Sequence, residues 1–212
     1  MSAPARAFTP RHVQLLRALF AAAAAVMITF SPDHSAAVGL SVFSGFVLTS
    51  SLVMLLAVWL VFPVGQRWSW VVLALLGFAA GMTAGVPAWR TEDLFFVVVI
   101  AWALTTGVVE LIVGLRARRA GETTARDSIT VGAFGILLAV LLLTIPAGFV
   151  QPYAIQGAGE FELTGIILGV GMFGGYAAIV AVFLGIAGLT PKRVEPAAAA
   201  SAPAPVEHGG DR

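Results

Sequence analysis

The chain has 212 residues, 59% of them hydrophobic and 11% charged, with a formal net charge of +1 and no cysteine. A soluble domain carries about 25% charged and 45–50% apolar residues, so a globular core cannot hide this much apolar surface and the bilayer must solvate most of it. The lack of cysteine excludes disulfides, thiolate metal sites and cysteine nucleophiles, and the scattered basic residues argue against a nucleic-acid partner.

In chain order, a short N-terminal segment (1–12) precedes six apolar runs, at about Val13–Phe30, Ala36–Phe62, Trp70–Ala88, Leu94–Leu115, Ile129–Pro146 and Leu163–Leu189. Each approaches or exceeds the roughly 20 residues a helix needs to cross the hydrocarbon. The breaks carry turn chemistry: Ser31-Pro32-Asp33, Phe62-Pro63, Val86-Pro87, the Arg116–Asp127 stretch and Pro146-Ala147-Gly148. The fold class expected is an all-α membrane protein with a six-span domain over 13–189. From Pro191 the chain runs into Ala and Pro, which predicts a disordered cytoplasmic tail over 190–212.

Basic residues orient the spans. Arg6, Arg11 and Arg17, then Arg67, then Arg116, Arg118, Arg119 and Arg126, then Lys192, Arg193 and Arg212 all fall on one side of a six-span arrangement. That side holds 11 of the 12 basic residues, and the other holds Arg90 with Asp33, Glu92, Asp93, Glu160 and Glu162. Both termini are therefore expected in the cytoplasm. A cleaved signal peptide is the alternative for the first run, which has a basic start and small residues near Ser35-Ala36-Ala37.

A shift of 56 residues lays Leu48-Thr49-Ser50-Ser51-Leu52-Val53-Met54-Leu55 on Leu104-Thr105-Thr106-Gly107-Val108-Val109-Glu110-Leu111, and brings Pro32 to within one residue of Pro87. A third copy runs from Gly132 through Pro146 to Gly175-Tyr176-Ala177-Ala178, with a longer outer loop over Ala147–Glu162. Repetition of this kind predicts three consecutive helical hairpins. The stretch Ala101-Trp102-Ala103-Leu104-Thr105-Thr106-Gly107-Val108-Val109-Glu110-Leu111, ending in Leu115-Arg116-Ala117-Arg118-Arg119, resembles the mid-chain helix of the HdeD-like family of small bacterial membrane proteins. The Gly174-Gly175-Tyr176-Ala177-Ala178 helix is similar to theirs as well. The resemblance implies six spans in a bacterial plasma membrane and a link to stress or acid resistance, and it implies no catalytic or ligand residue.

Glu110 is the one carboxylate well inside a span, six residues before Arg116 and so about 9 Å from that end. A charge at mid-span costs roughly 2.5–3.5 kcal/mol on translocon-derived scales, so it must face protein, water or a partner. Arg17, about a turn into the first span from the same side, is the expected partner in an intramembrane ion pair. A structural pair that orders the bundle outweighs a proton relay, which needs further titratable groups along a path.

Gly77, Gly81 and Gly85 share one face of the third span, and Gly165–Gly169 and Gly171–Gly175 share faces of the sixth, while Gly107 marks the middle of the fourth. Such faces let helices approach closely, either within the bundle or in a homo-oligomer. Trp59, Trp68 and Trp70 are expected at the inner interface and Trp89 at the outer, with Trp102 packed inside. His12, His34 and His208 are too far apart for a metal site. There is no Ser/His/Asp set at plausible depth, no phosphate loop and no His-Glu-x-x-His. The expectation is a non-enzymatic membrane protein without cofactor, its partner the lipid bilayer. The alternative is a small proton-coupled transporter or channel subunit using Glu110.

Overall fold

Helix ends are written into the local chemistry of this chain. Pro10 opens the first helix where its missing N–H costs nothing, and Thr9 closes the end through its backbone N–H, which donates to His12 Nδ1 at 3.1 Å. Ser35 and Thr91 cap the second and fourth helices by accepting from the N–H groups of Val38 and Leu94. The fourth helix has Glu92 and Asp93 in its first turn and Arg116, Arg118 and Arg119 in its last, each sign complementing the helix dipole. It stops at Gly121, whose φ of 74° suits a residue without a Cβ.

The computed structural model describes residues 8–61, 67–122, 125–146, 148–156 and 159–190. The order is α1 (Pro10–Phe30), α2 (Ala36–Leu60), α3 (Arg67–Gly85), a 3-10 turn (Pro87–Trp89), α4 (Glu92–Arg119), α5 (Ala125–Leu143), β1 (Val150–Ile155), β2 (Gly159–Thr164) and α6 (Gly165–Leu189). All six helices are long and apolar enough to cross a membrane. Arg6, Phe62-Pro63, Ala147, and the tail from Pro191 with Lys192, Arg193, His208 and Arg212 lie outside the described residues.

The helices form a ring in chain order that closes on itself, α6 returning to pack along α1. The most extensive contacts join α4 to α5, α1 to α6 and α2 to α3; the sequence-adjacent pairs α1–α2, α3–α4 and α5–α6 touch less. Each close pair is antiparallel and built on a glycine. A Cβ on Gly107 would lie 2.9 Å from the Gly132 carbonyl oxygen of α5, one on Gly174 would lie 2.6 Å from Ile28 of α1, and one on Gly81 would lie 2.7 Å from Leu48 of α2. The tight unit is therefore one helix out of phase with the hairpins read from the repeat. Close approach follows where small residues stand, and these line the α2–α3, α4–α5 and α6–α1 seams.

One departure from an all-α chain is the antiparallel β1–β2 hairpin, which pairs Tyr153 with Phe161 within the stretch expected as a plain loop. The two rings stack at 5.8 Å, and Gly165 N–H donates to Phe149 O across the hairpin base. Phe43, Phe95 and Phe173 are fully buried at the centre, whereas Leu19, Phe30, Leu75, Met82, Val97 and Leu143 are exposed on the outside. An apolar surface of this extent suits hydrocarbon, not water.

Candidate functional site

Polar side chains inside the ring gather toward the end where α1 begins and α4 terminates, the Arg-rich end. Arg17 Nη2 donates to Glu110 Oε1 at 2.8 Å, with side-chain exposures of 14% and 10%. The pair joins α1 to α4, which are not neighbours in the ring. One turn nearer the end, Gln14 Nε2 donates to Asp127 Oδ2 at 2.6 Å and ties α1 to the first turn of α5. Gln14 and Arg17 stand three apart on α1 and so share a face.

Two cavities meet at Arg17. A cleft of about 300 Å³ opens at the Arg-rich end between α1, α3, α4 and α5, lined by Arg17, Arg116, Trp68 and Asp127 among others. A smaller chamber of about 40 Å³ lies beyond, lined by Arg17, Glu110, Ser50, Ser51, Thr106 and Tyr176. Arg17 and Leu184 belong to both walls, so the ion pair stands between cleft and chamber. Thr106 and Glu110 share a face of α4 with Trp102, as residues four apart do. Ser50 Oγ is buried in the chamber wall with no hydrogen-bond partner among the described residues, whereas Thr106 Oγ1 donates to Trp102 O at 2.6 Å.

Aromatic rings close the chamber and continue the packing beyond it, Phe46, Trp102 and Tyr176 standing in its wall. Trp102 meets Phe43, Phe46 and Tyr176 edge-on at 5.2, 5.9 and 6.0 Å, and Phe43 meets Phe173 at 5.5 Å. Edge-to-face contacts of this kind are favourable beyond the area they bury. Above them Gly39 lets Val170 and Phe95 close in on α2. Arg90, the basic residue of the far end, caps α3 through Nε to Ala84 O and Nη2 to Gly85 O.

The glycines divide. Gly77, Gly81, Gly85 and Gly107 each face a neighbouring helix, Gly77 against Ser51 and Gly85 against Ser44. Gly171 and Gly175 do not pack: a Cβ on either would meet nothing within 4 Å. The contacts of α6 are made instead by Gly169 against Phe95 and Phe96, Gly174 against Ile28, and Gly188 against Leu15. Gly169 and Gly171 are two residues apart and so on nearly opposite sides of the helix, and the inward side is the one with Gly169. Trp59, Trp68 and Trp89 are exposed near helix ends, and Trp102 packs inside. Among the described residues no group of His, Asp or Glu could hold a metal ion.

The polar chamber, Gln14–Asp127 and Tyr176 are absent from the sequence expectations. Gln14 had a signal, since it precedes Arg17 by one turn in an apolar helix. Ser50 appeared only within the repeat, because a serine in a span usually bonds to its own helix, and Tyr176 only within the sixth-helix motif, where nothing local fixes the side it faces. No family model, curated protein or solved structure matches the chain.

Proposed function

We propose that the chain is a non-enzymatic, multi-pass protein of a bacterial plasma membrane, its Arg-rich end in the cytoplasm, that binds a ligand at that end without conducting across the bilayer. The observation that supports this most is the one-sidedness of its interior. Cleft and ion pair lie toward the Arg-rich end and the chamber beyond them is closed by Phe46, Trp102 and Tyr176, while Phe43 and Phe173 interlock in the interior past it. The excess of arginine at one end supports the orientation, and the fourth-helix motif supports a stress-related role of the HdeD-like kind. In this reading Arg17–Glu110 is a structural lock. Its charges compensate one another where the bilayer cannot, and it holds α1 against α4.

The test is reconstitution of the full chain in vesicles loaded with a pH-sensitive dye. Proton entry under an imposed gradient should match that of empty vesicles. Entry above that level that disappears in Glu110→Gln would sink the binding reading. It would establish the second one, a proton-coupled carrier, which the unpartnered Ser50 hydroxyl beyond the ion pair favours. A reporter fused after Arg212 should be active in the cytoplasm, and activity outside would overturn the orientation.

A further inference from the structure

We infer that the cleft at the Arg-rich end is a binding site for an amphipathic anion, a carboxylate or phosphate carried on a small apolar body. The inference rests on the binding reading above and names what is bound. The walls carry charges of both signs, Arg17 and Arg116 against Asp127 and Glu122, so charge alone does not decide. Partnering does. Asp127 accepts from Gln14, Glu122 has an interaction within the chain, and Arg17 is paired with Glu110. Arg17 donates one bond to Glu110 from a guanidinium with five N–H donors. Arg116 has no hydrogen-bond or ion-pair partner among the described residues.

The charged wall group left without a partner among the described residues is therefore Arg116, a guanidinium suited to a two-oxygen anion, with Arg17's remaining N–H donors beside it. The remaining wall is mostly apolar, with Val13, Val113, Val131, Leu184 and Trp68 lining the space beside Gln14, Ser69 and Ser128. At about 300 Å³ the cleft lies at the small end of the range for ligand pockets. An anion bonded to Arg17 and Arg116 would place its apolar body against the valines.

Two sources supply this chemistry, the headgroup of an anionic lipid and a free amphipathic acid. The experiment uses the purified full chain in nanodiscs and reads its unfolding temperature. One arm compares phosphatidylglycerol with phosphatidylcholine discs, and the other adds octanoate or, as a neutral control, octanol to phosphatidylcholine discs. A rise of about 2–4 °C is expected in at least one anionic arm, as for a ligand that binds the folded state alone. A rise in the first arm identifies the lipid, and a rise in the second identifies the free acid.

Arg116→Ala should weaken the effective ligand about tenfold, since it removes a charge-assisted bond, and Arg116→Lys should retain part of the effect. Because Arg116 is exposed and its side chain has no hydrogen-bond or ion-pair partner among the described residues, both variants should fold like the wild type. No rise in either anionic arm beyond its control, or a rise unchanged in Arg116→Ala, overturns the inference. Neither outcome touches the proton-flux result on which the broader reading stands.

Discussion

Arg17 and Glu110 meet at 2.8 Å across the interior of the ring, joining two helices that are not packed as neighbours. Arg17 lines both cavities and Glu110 lines the inner one. The energy of the pair is best read by what happens when one member is removed. A buried pair adds little net stability over an apolar replacement, but an orphaned charge is costly, about 3–5 kcal/mol.

Glu110→Ala should accordingly lower the unfolding temperature in detergent sharply, and Arg17→Met should do the same. Arg17→Met combined with Glu110→Leu should recover most of the loss. If the double variant is as unstable as the sum of the two singles, the residues act independently and the lock is not a lock.

Gln14 and Asp127 form a charge-assisted hydrogen bond at 2.6 Å in a part-buried place. Gln14→Ala and Asp127→Asn should each cost on the order of 1.5–3 kcal/mol, and a double-mutant cycle should return a coupling of at least about 0.5 kcal/mol. Additive losses would mean that α1 and α5 are held together by other contacts.

Substituting Gly107 by Leu should prevent folding or reduce the yield of dispersed protein, because its Cβ position lies 2.9 Å from the Gly132 carbonyl and 3.0 Å from the Ile136 nitrogen, both backbone. Backbone cannot step aside as a side-chain tip can. Gly171→Leu with Gly175→Leu should instead leave stability within about 0.5 kcal/mol, the usual range for exposed sites. Comparable damage from both sets, read by size-exclusion profile and melting, would contradict the outward aspect of Gly171 and Gly175.

Ser50→Ala removes a buried hydroxyl that has no partner. The substitution should be neutral or raise the melting temperature, since an unsatisfied buried polar group costs about 1–3 kcal/mol. A clear loss of stability would show that water in the chamber bonds to Ser50, because a polar cavity of about 40 Å³ has room for at least one water molecule.

Much of this arrangement was legible beforehand. Six apolar runs follow from length and hydropathy, since an exposed backbone is not tolerated in hydrocarbon and the helix satisfies itself. A guanidinium and a carboxylate entering an apolar bundle from the same end at similar depth have few other partners, and the pairing of Arg17 with Glu110 was thus an expectation of charge alone. Glycine faces were legible as faces but not in direction. In α6 the residues are apolar all round, so nothing local tells the side of Gly169 from the side of Gly171. The β1–β2 hairpin was hidden because Pro152 and the glycines of its turn read equally well as plain loop.

The sequence by itself determined that six helices are long and apolar enough to span a membrane and at which helix ends the charges lie, because transfer of apolar surface and of charge is a property of each segment. Which helices touch was decided by the tertiary structure. The closure of α6 onto α1, the glycine seams between α2 and α3 or α4 and α5, and the meeting of two cavities at Arg17 depend on shapes presented by several helices at once. Close packing is a property of pairs of surfaces, and one strand of residues carries only half of each pair.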